Sequence, residues 1–480
     1  MRLNKLKLKL ASVTLTGLLA ACSLVADSEL KTGVGQSCVE AAECQGEAAD
    51  CVDGRCVLGC STADECPAGT SCAADVCDVS FKVGFVYDGN PVDSGFSRAH
   101  DEGRLAAKAA VPWLDFALVA QDIQKDQEAE AMSGLIADGA EVIFVTTTRF
   151  GSVAQELAAD NPNVRFLNFG IPSWDGGNFS GYVPRYHQAW YLSGVALASF
   201  AGSLPASDTK RHNFGFIGAL PVPEVIAQLN AFTLGARSVD PEAKVDVVWL
   251  AGFVPADGQA ERAVDYLIED GNRFLINRIG ARNSAVINKL ETLNKANGDD
   301  KIYTAVLDNA DCTNRGDFCL GGPTWNWGPL YTRIVQEIQH GTFDSALPIR
   351  DSIQSDPKSS VINLTLNPAQ QAFSGTLRDQ LSQTIQNLTE GGDNTFAPKG
   401  SLTVCATDPD QRPEGSCVKT RVEDDELGSM CWLVEGVVQR KDPNAPFDAA
   451  DNPLVEALTP DGDLWPPANF GGTPISLSCN

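Results

Sequence analysis

From residue 81 to residue 307, short apolar runs alternate with amphipathic segments of helical period, and this alternation restricts the fold more tightly than any other feature. The runs occupy residues 81–86, 116–120, 142–145, 164–169, 214–217, 245–250, 274–276 and 302–307. Residues 81–86 alternate too little for a surface strand, so the run predicts a strand covered on both faces, as in a parallel sheet. Strand and helix in strict alternation specify right-handed βαβ units. Four runs precede residues 179–186 and four follow, over 227 residues, more than one core comfortably holds. The expectation is an α/β chain of two doubly wound parallel-sheet lobes facing a cleft, with crossovers near residues 179–185 and again after Asp308.

In such sheets the turns at the carboxyl edge carry function, because helix N-termini there aim backbone N–H groups into the crevice. After the first strand, Asp88, Gly89, Asn90 and Pro91 supply turn chemistry, Asp93 or Ser94 caps a helix, and residues 104–110 continue it with strong helix formers. Thr148, Arg149 and Phe150 follow the third strand, Asn277 and Arg278 end a later one, and Asp308 ends the last. Each has a structural alternative. Asp93 serves equally as a bare N-cap, Phe96 as the first core residue of its helix, Arg149 as a solvated charge, and Asp308 as a turn residue.

The N-terminus carries Arg2, Lys5, Lys7 and Lys9, then an apolar, small-residue segment ending in Leu19-Ala20-Ala21-Cys22. These are the parts of a secretory signal peptide, and a cysteine at the cleavage point is the bacterial lipobox pattern; an ordinary cleavage site beside a stray cysteine is the other reading. Residues 1–22 are then the leader and the mature chain starts at a diacylated Cys22, anchored to the membrane of a bacterial cell envelope without spanning it. Of the 36 basic residues, removal of those four leaves 32 against 62 acidic ones, a net charge of −30. So acidic a chain repels polyanions, which excludes nucleic acid as the expected partner and favours neutral or cationic ligands.

Fifteen cysteines less Cys22 leave fourteen, an even number in an exported chain, and this predicts a disulfide framework. Eight of them lie between Cys38 and Cys77, in a segment too short and too polar to fold without cross-links. A zinc site is the rival, but the segment has no histidine and no C-x-x-C pair, so no metal is expected. Residues 23–37 read as a linker and 38–79 as a small disulfide-rich module. Cys312 and Cys319 most simply pair with each other, and the neighbouring Gly321-Gly322 predicts a tight turn. Residues 392–480 form a Pro-, Asp- and Gly-rich extension with Cys405, Cys417, Cys431 and Cys479 as staples and a strand over 430–438, placed either on the second lobe or as an added surface.

Several segments agree in order with one known family. Asp93-Ser94-Gly95-Phe96-Ser97, with Gly103 in the helix behind it, resembles the D-x-S-F-N signature of the basic membrane protein (BMP, PnrA-like) lipoproteins. Residues 185–194, RYHQAWYLSG, resemble that family's R-E-Y-E-A-S-Y-L-A-G helix, and residues 214–218, FGFIG, its F-G-F-I-G strand. Phe232, Gly235 and Ser238-Val239-Asp240-Pro241 resemble a further segment, so the likeness covers residues 80–391. It implies the type I periplasmic-binding-protein fold and a substrate-binding role for an ABC importer, with nucleosides as ligands.

The resemblance places first-loop polar contacts at Asp93 and Ser94, a stacking ring at Phe96, and Ser97 where the family has asparagine. It makes Asp308, in Leu307-Asp308-Asn309, the carboxylate offered to ribose hydroxyls, with Asn309 beside it. Two departures stand out: the second stacking Phe aligns with Gln228, and a family lysine aligns with Trp327 in Thr324-Trp325-Asn326-Trp327. The predicted ligand contacts are therefore Asp93, Ser94, Phe96, Ser97, Phe150, Asp308, Asn309 and Trp325, with Trp325 and Trp327 either packing the core or forming a platform.

An enzyme is not expected. The four histidines stand outside any G-x-S-x-G, H-E-x-x-H or Walker pattern, so the common nucleophilic, zinc and nucleotide chemistries lack their parts, and no cofactor is implied. The expected partners are a small nucleoside-like ligand, an ABC transporter permease and, through the lipid, a membrane. The alternatives are a sensory or adhesion lipoprotein and, further off, a glycoside or nucleoside hydrolase using Asp93 with Asp308.

Overall fold

The computed structural model describes the chain in segments between residues 49 and 439; residues 1–48, 391–401, 406–416, 420–429 and 440–480 lie outside the description, as do short loop stretches such as 93–94, 251–256 and 309–311. The leader, Cys22, the linker, and the ligand candidates Asp93, Ser94 and Asn309 therefore fall outside the described residues.

Within the expected cysteine module, β1 (Ala49–Val52), β2 (Arg55–Gly59), β3 (Thr70–Ala73) and β4 (Val76–Val79) form a small antiparallel sheet in the order β1-β2-β4-β3. Its two hairpins set Cys51 opposite Cys56 and Cys72 opposite Cys77.

The first lobe is a five-stranded sheet of β5 (Lys82–Val86), β6 (Asp115–Ala120), β7 (Ala140–Val145), β8 (Arg165–Phe169) and β9 (Phe179–Tyr182), in the order β6-β5-β7-β8-β9. The order reverses direction at β5, which makes the sheet doubly wound and opens a crevice at its carboxyl edge. Helices α1 (Gly95–Ala110), α2 (Glu128–Ala137) and α3 (Gly151–Asp160) connect the strands. The core beneath them includes Val86, Ile143, Phe150 and Phe166, each under 2% exposed.

The second lobe repeats the pattern with β10 (Asn213–Gly218), β11 (Lys244–Trp249), β12 (Phe274–Arg278) and β13 (Tyr303–Val306), paired in parallel. Its helices are α4 (His187–Gly202), α5 (Pro223–Val239), α6 (Gln259–Glu269) and α7 (Asn283–Asn297). Apolar on every side and buried along most of its length, α4 is an interior helix. It lies so close to α5 that a Cβ on Gly194 would stand 2.1 Å from the carbonyl of Phe232, and one on Gly235 2.0 Å from that of Tyr191. The family-like segments thus meet in one helix pair. Phe214, Phe274 and Tyr303 stack across β10, β12 and β13, with ring centroids 5.1 and 5.5 Å apart.

Three findings depart from the sequence expectations. Residues 319–325 form a strand, β14 (Cys319–Trp325), where Gly321-Gly322 predicted a turn. Both glycines take positive φ, +113° and +149°, and a Cβ on either would meet a neighbouring strand's carbonyl at 2.1 Å, so they admit an irregular strand between β13 and β15 (Ile362–Leu366). Cys312 and Cys319 are bonded, with Cα atoms 5.6 Å apart, as the spacing predicts. Second, residues 179–182 are the last strand of the first lobe; the crossover follows it, where the N–H groups of Val183 and Arg185 donate to the carbonyls of Ile349 and Asp351 at 2.8 Å each. The crossover expected after Asp308 comes at Asn326-Trp327, before α8 (Gly328–Gln339), and the segment at 349–351, joined to β9 by a single parallel bridge from Ile349 to Tyr182, adds a third.

Third, the extension beyond residue 391, left open between packing on the second lobe and an added surface, joins the second lobe but not as the single strand expected. Here β16 (Leu402–Cys405), β17 (Cys417–Lys419) and β18 (Leu433–Val434) pair with one another, while β19 (Val437–Gln439) adds a parallel strand to β11 and makes the seven-stranded order β15-β14-β13-β12-β10-β11-β19. The single strand expected over 430–438 is thus two, broken at Gly436, whose φ is +99°.

Candidate functional site

The carboxyl edges of the two sheets meet at the first turn of α1. A Cβ on Gly95 would lie 3.9 Å from the Cβ of Asp308, so the start of α1, from the first lobe, abuts the end of β13, from the second. Phe96, half-buried, projects from this turn; its ring stands edge-on to His100 at 4.6 Å and 5.5 Å from Phe169, the last residue of β8. Ser97, the next residue, is fully buried beneath the helix.

Two tryptophans continue the aromatic wall. Trp325, at the end of β14, stacks on Trp327 at 4.6 Å and 14°, and Trp327 stacks in turn on His100 at 4.3 Å and 16°. Trp327 is wholly buried and belongs to the core. Trp325 is the half-exposed outer ring of the ladder, edge-on to Phe169 at 6.1 Å and Tyr186 at 5.6 Å. Gly103 makes the ladder possible, because a Cβ there would sit 2.4 Å from the Cβ of Trp327. Behind the ladder, His100 Nδ1 shares a 2.6 Å hydrogen bond with the Tyr331 hydroxyl, and burial holds the imidazole neutral by lowering its pKa well below the usual histidine value.

Asp308 is the one carboxylate facing this wall that the sequence singled out and the structure describes. It adopts a left-handed backbone, φ +52°, uncommon outside glycine and tolerated by Asp. Its N–H donates to the Pro323 carbonyl at 2.9 Å while its Oδ1 accepts from the Trp325 N–H at 3.4 Å, so β14 holds both ends of the residue. Burial pushes its pKa up to about 7, the Trp325 N–H and Arg278 acting in the opposite direction.

Beside it, at the end of β12, Arg278 donates to Glu224 Oε1 at 2.7 Å through Nη2 and to Gln228 Oε1 through Nε. Glu224 and Gln228 occupy the first two turns of α5, which starts just after β10 at the same sheet edge. Burial raises the pKa of Tyr186, whose ring stands edge-on to Trp325, well above the ordinary phenol value, with the Glu224 charge adding to it and Arg278 opposing.

The predicted contacts therefore divide. Phe96, Asp308 and Trp325 converge at one mouth. Phe150 does not join them: the single turn Thr148–Phe150 directs Arg149 outward to Asp88 at 3.6 Å and Phe150 inward, where it is 1% exposed in the first lobe's core. Two rings at this mouth, Phe169 and Tyr186, were not singled out from the sequence. Phe169 closes an apolar run and reads as core; the Gly170 after it, φ +77°, was the available signal of a turn at the carboxyl edge.

A separate cluster, His212, Asp240 and Glu242, sits at the opposite end of β10. The two ring nitrogens of His212 face different partners, Asp240 Oδ2 at 2.5 Å and Glu242 Oε2 at 3.7 Å, and Arg211 Nε approaches within 3.1 Å of Nε2, which opposes a cation there. Among the described residues, no helix is long and apolar enough to cross a membrane.

The family described as ABC transporter substrate-binding protein PnrA-like matches residues 80–386. A purine-binding protein of Brucella abortus (strain 2308) is 27% identical over 274 residues, covering 55% of this chain and 70% of its own length. A candidate ABC transporter glucose-binding protein of Haloferax volcanii is 27% identical over 263 residues, covering 54% of this chain and 62% of its own length. Among solved structures, ABC transporter system solute-binding proteins from Aeropyrum pernix K1 superpose with a TM-score of 0.54 at 12% identity, covering 69% of this chain and 95% of theirs, a likeness of fold.

Proposed function

Because this chain belongs to the PnrA-like family of ABC transporter substrate-binding proteins, we propose that it is a lipid-anchored, extracytoplasmic receptor that closes on a nucleoside and presents it to an importer. A small-molecule ligand and a transporter partner come with the family.

The observation that supports this reading is that Gly95, the neighbour of Phe96, abuts Asp308 where the two lobes meet, while Trp325 is hydrogen-bonded to Asp308 and shares Phe169 with Phe96 as a ring neighbour. A flat base stacks on a ring face whatever its edge groups, and a carboxylate accepts two sugar hydroxyls. Ligand touching both lobes favours the closed form, since only differential contact shifts the populations. The name of the Brucella relative points the same way. Asp93, Ser94 and Asn309 belong to the proposed contact set through their positions beside Phe96 and Asp308. Neither Phe150, packed in the core, nor Ser97, buried under the helix, remains in it.

A thermal-shift series with nucleosides, free bases, glucose and amino acids tests the reading, because ligand raises apparent stability by mass action. Nucleosides should raise Tm while amino acids leave it unchanged; a rise with glucose alone would replace the nucleoside by a sugar. Release of free base from a bound nucleoside would make the protein a hydrolase and overturn the receptor reading.

A further inference from the structure

Resting on the reading of Asp308 as a ligand contact, we propose that the disulfide between Cys312 and Cys319 is the device that positions this carboxylate, so that ligand affinity depends on a bond that touches no ligand. The two cysteines are on this account positioning residues. Both lie in the connection from β13 to β14, both are wholly buried, and their Cα atoms stand 5.6 Å apart.

The two ends of that connection are held unequally. At its far end Asn367 Nδ2 donates to the carbonyls of Gly316 and Cys319 at 2.9 and 2.7 Å, and the Thr304 N–H donates to that of Phe318 at 2.9 Å. Arg315 pairs with Glu291 of α7 at 2.8 Å, and Lys301 pairs with Asp317. Residues 315–319 thus belong to the frame of the second lobe. At the near end the Asp308 N–H has the Pro323 carbonyl at 2.9 Å, but the carboxyl has only a 3.4 Å contact with the Trp325 N–H, too long to hold a side chain firmly. The left-handed backbone of Asp308, φ +52°, persists only where its surroundings over-determine it.

The disulfide supplies what the near end lacks. Cys312 is four residues after Asp308 and Pro323 four after Cys319, so the arm that carries the carboxylate and the start of β14 are equal spans, joined covalently at one end and by hydrogen bonds at the other. The Arg315 N–H, donating to the Cys312 carbonyl at 3.0 Å, fixes the same corner. A ring this short gains less loop-closure entropy than a long one, which leaves position, more than folding, as the main effect of the bond. The burial that pushes the Asp308 pKa up to about 7 agrees with a carboxyl kept from turning out to water.

Cys312→Ser together with Cys319→Ser in the full chain tests this by two readouts. In calorimetry with adenosine the paired variant should bind at least about ten-fold more weakly than the unaltered protein. Added to Asp308→Asn, the same pair should cost less than about two-fold further, because the clamp acts only through that carboxylate. Without ligand, the fall in Tm from pH 5 to pH 8 that accompanies ionisation of the buried Asp308 should shrink by at least about half in the paired variant, whose carboxyl reaches water. Inserting two glycines between Ala310 and Asp311 keeps the bond while slackening the arm, so it should reproduce both effects and serves where the paired variant does not fold. Unchanged affinity, a ten-fold loss that persists beside Asp308→Asn, or an unchanged pH profile overturns the clamp and leaves the nucleoside reading intact. Failure of the unaltered protein to bind adenosine counts against the nucleoside reading instead, and the pH profile then decides the clamp alone.

Discussion

The main-chain N–H of Trp325 reaches Oδ1 of Asp308 at 3.4 Å, while the N–H of Asp308 donates to the Pro323 carbonyl two residues before Trp325. The two residues clasp each other through β14, which presents an indole and a carboxyl to the same mouth. One long hydrogen bond satisfies a carboxylate poorly, and this is why burial prevails and the pKa rises to about 7.

Asp308→Asn should therefore raise the stability of the ligand-free protein while weakening its ligand. An Asp whose folded pKa of about 7 lies above its ordinary 3.8 favours the fold in its protonated form. Its contribution is fully present below 3.8 and lost as pH rises through about 7, a difference of up to roughly 4 kcal/mol. Thermal melts between pH 5 and 8 should show the variant gaining most at the upper end, and calorimetry should show at least about ten-fold weaker binding. Lower stability of the variant at pH 8 would mean that the carboxylate is satisfied by groups other than Trp325.

Binding itself should depend on pH in the opposite sense. The ionised carboxylate accepts sugar hydroxyls through both oxygens, whereas the protonated acid loses one acceptor site. Affinity for the nucleoside should rise as pH increases from about 6 to 8, with proton release visible as a buffer-dependent binding enthalpy. A flat profile across that range would remove Asp308 from the contact set.

Phe96→Ala should weaken binding by about ten-fold, roughly 1.4 kcal/mol, with a smaller effect on stability because the ring is only half-buried. Calorimetry and urea denaturation on the same variant separate the two effects. A large stability loss with unchanged affinity would mark Phe96 as a core residue clamped between His100 and Phe169.

Most of this architecture was legible in the sequence, for a physical reason. A parallel strand covered on both faces must be apolar along its length, so β5, β7, β8, β10, β11, β12 and β13 all announce themselves. The edges do not. In β9, Phe179–Tyr182 is four residues long with Gly181 inside it, and β14 contains Gly321, Gly322 and Pro323, which local propensity assigns to turns. Of the site, Phe96 and Asp308 were visible because they flank strand ends, whereas Phe169 and Tyr186 look like core residues until the lobes are brought together. The inward turn of Phe150 was invisible for a related reason: one residue of rotation in a single helical turn decides whether a ring faces ligand or core.

Gly103→Ala should destabilise the protein and weaken ligand binding together. The new methyl would meet the Cβ of Trp327 at 2.4 Å and its backbone at 3.1 Å, so α1 and the tryptophan segment must separate. Overpacking of this kind costs about 1–3 kcal/mol, and the displacement carries Trp325 with it through the stacked pair. Urea denaturation should shift to lower midpoint, and nucleoside affinity should fall although position 103 touches no ligand.

The C-terminal extension gives the last prediction. Asn230, buried in α5, accepts from the Val434 N–H at 3.1 Å and donates to Met430 Sδ at 3.2 Å, and the Val245 N–H donates to the Gly436 carbonyl at 2.9 Å as β19 pairs with β11. A chain ended at residue 391 would retain all of the family-like region yet leave the edge of β11 unpaired and the Asn230 amide without its Val434 and Met430 partners. Exposed parallel edges recruit other chains, and a stranded buried amide costs about 1–3 kcal/mol. The truncated protein should melt at lower temperature and self-associate in sedimentation velocity, and Asn230→Ala in the full chain should reproduce part of the stability loss without the association. If truncation leaves both Tm and sedimentation unchanged, β19 is an ornament on the second lobe, and the fold is complete where the family resemblance ends.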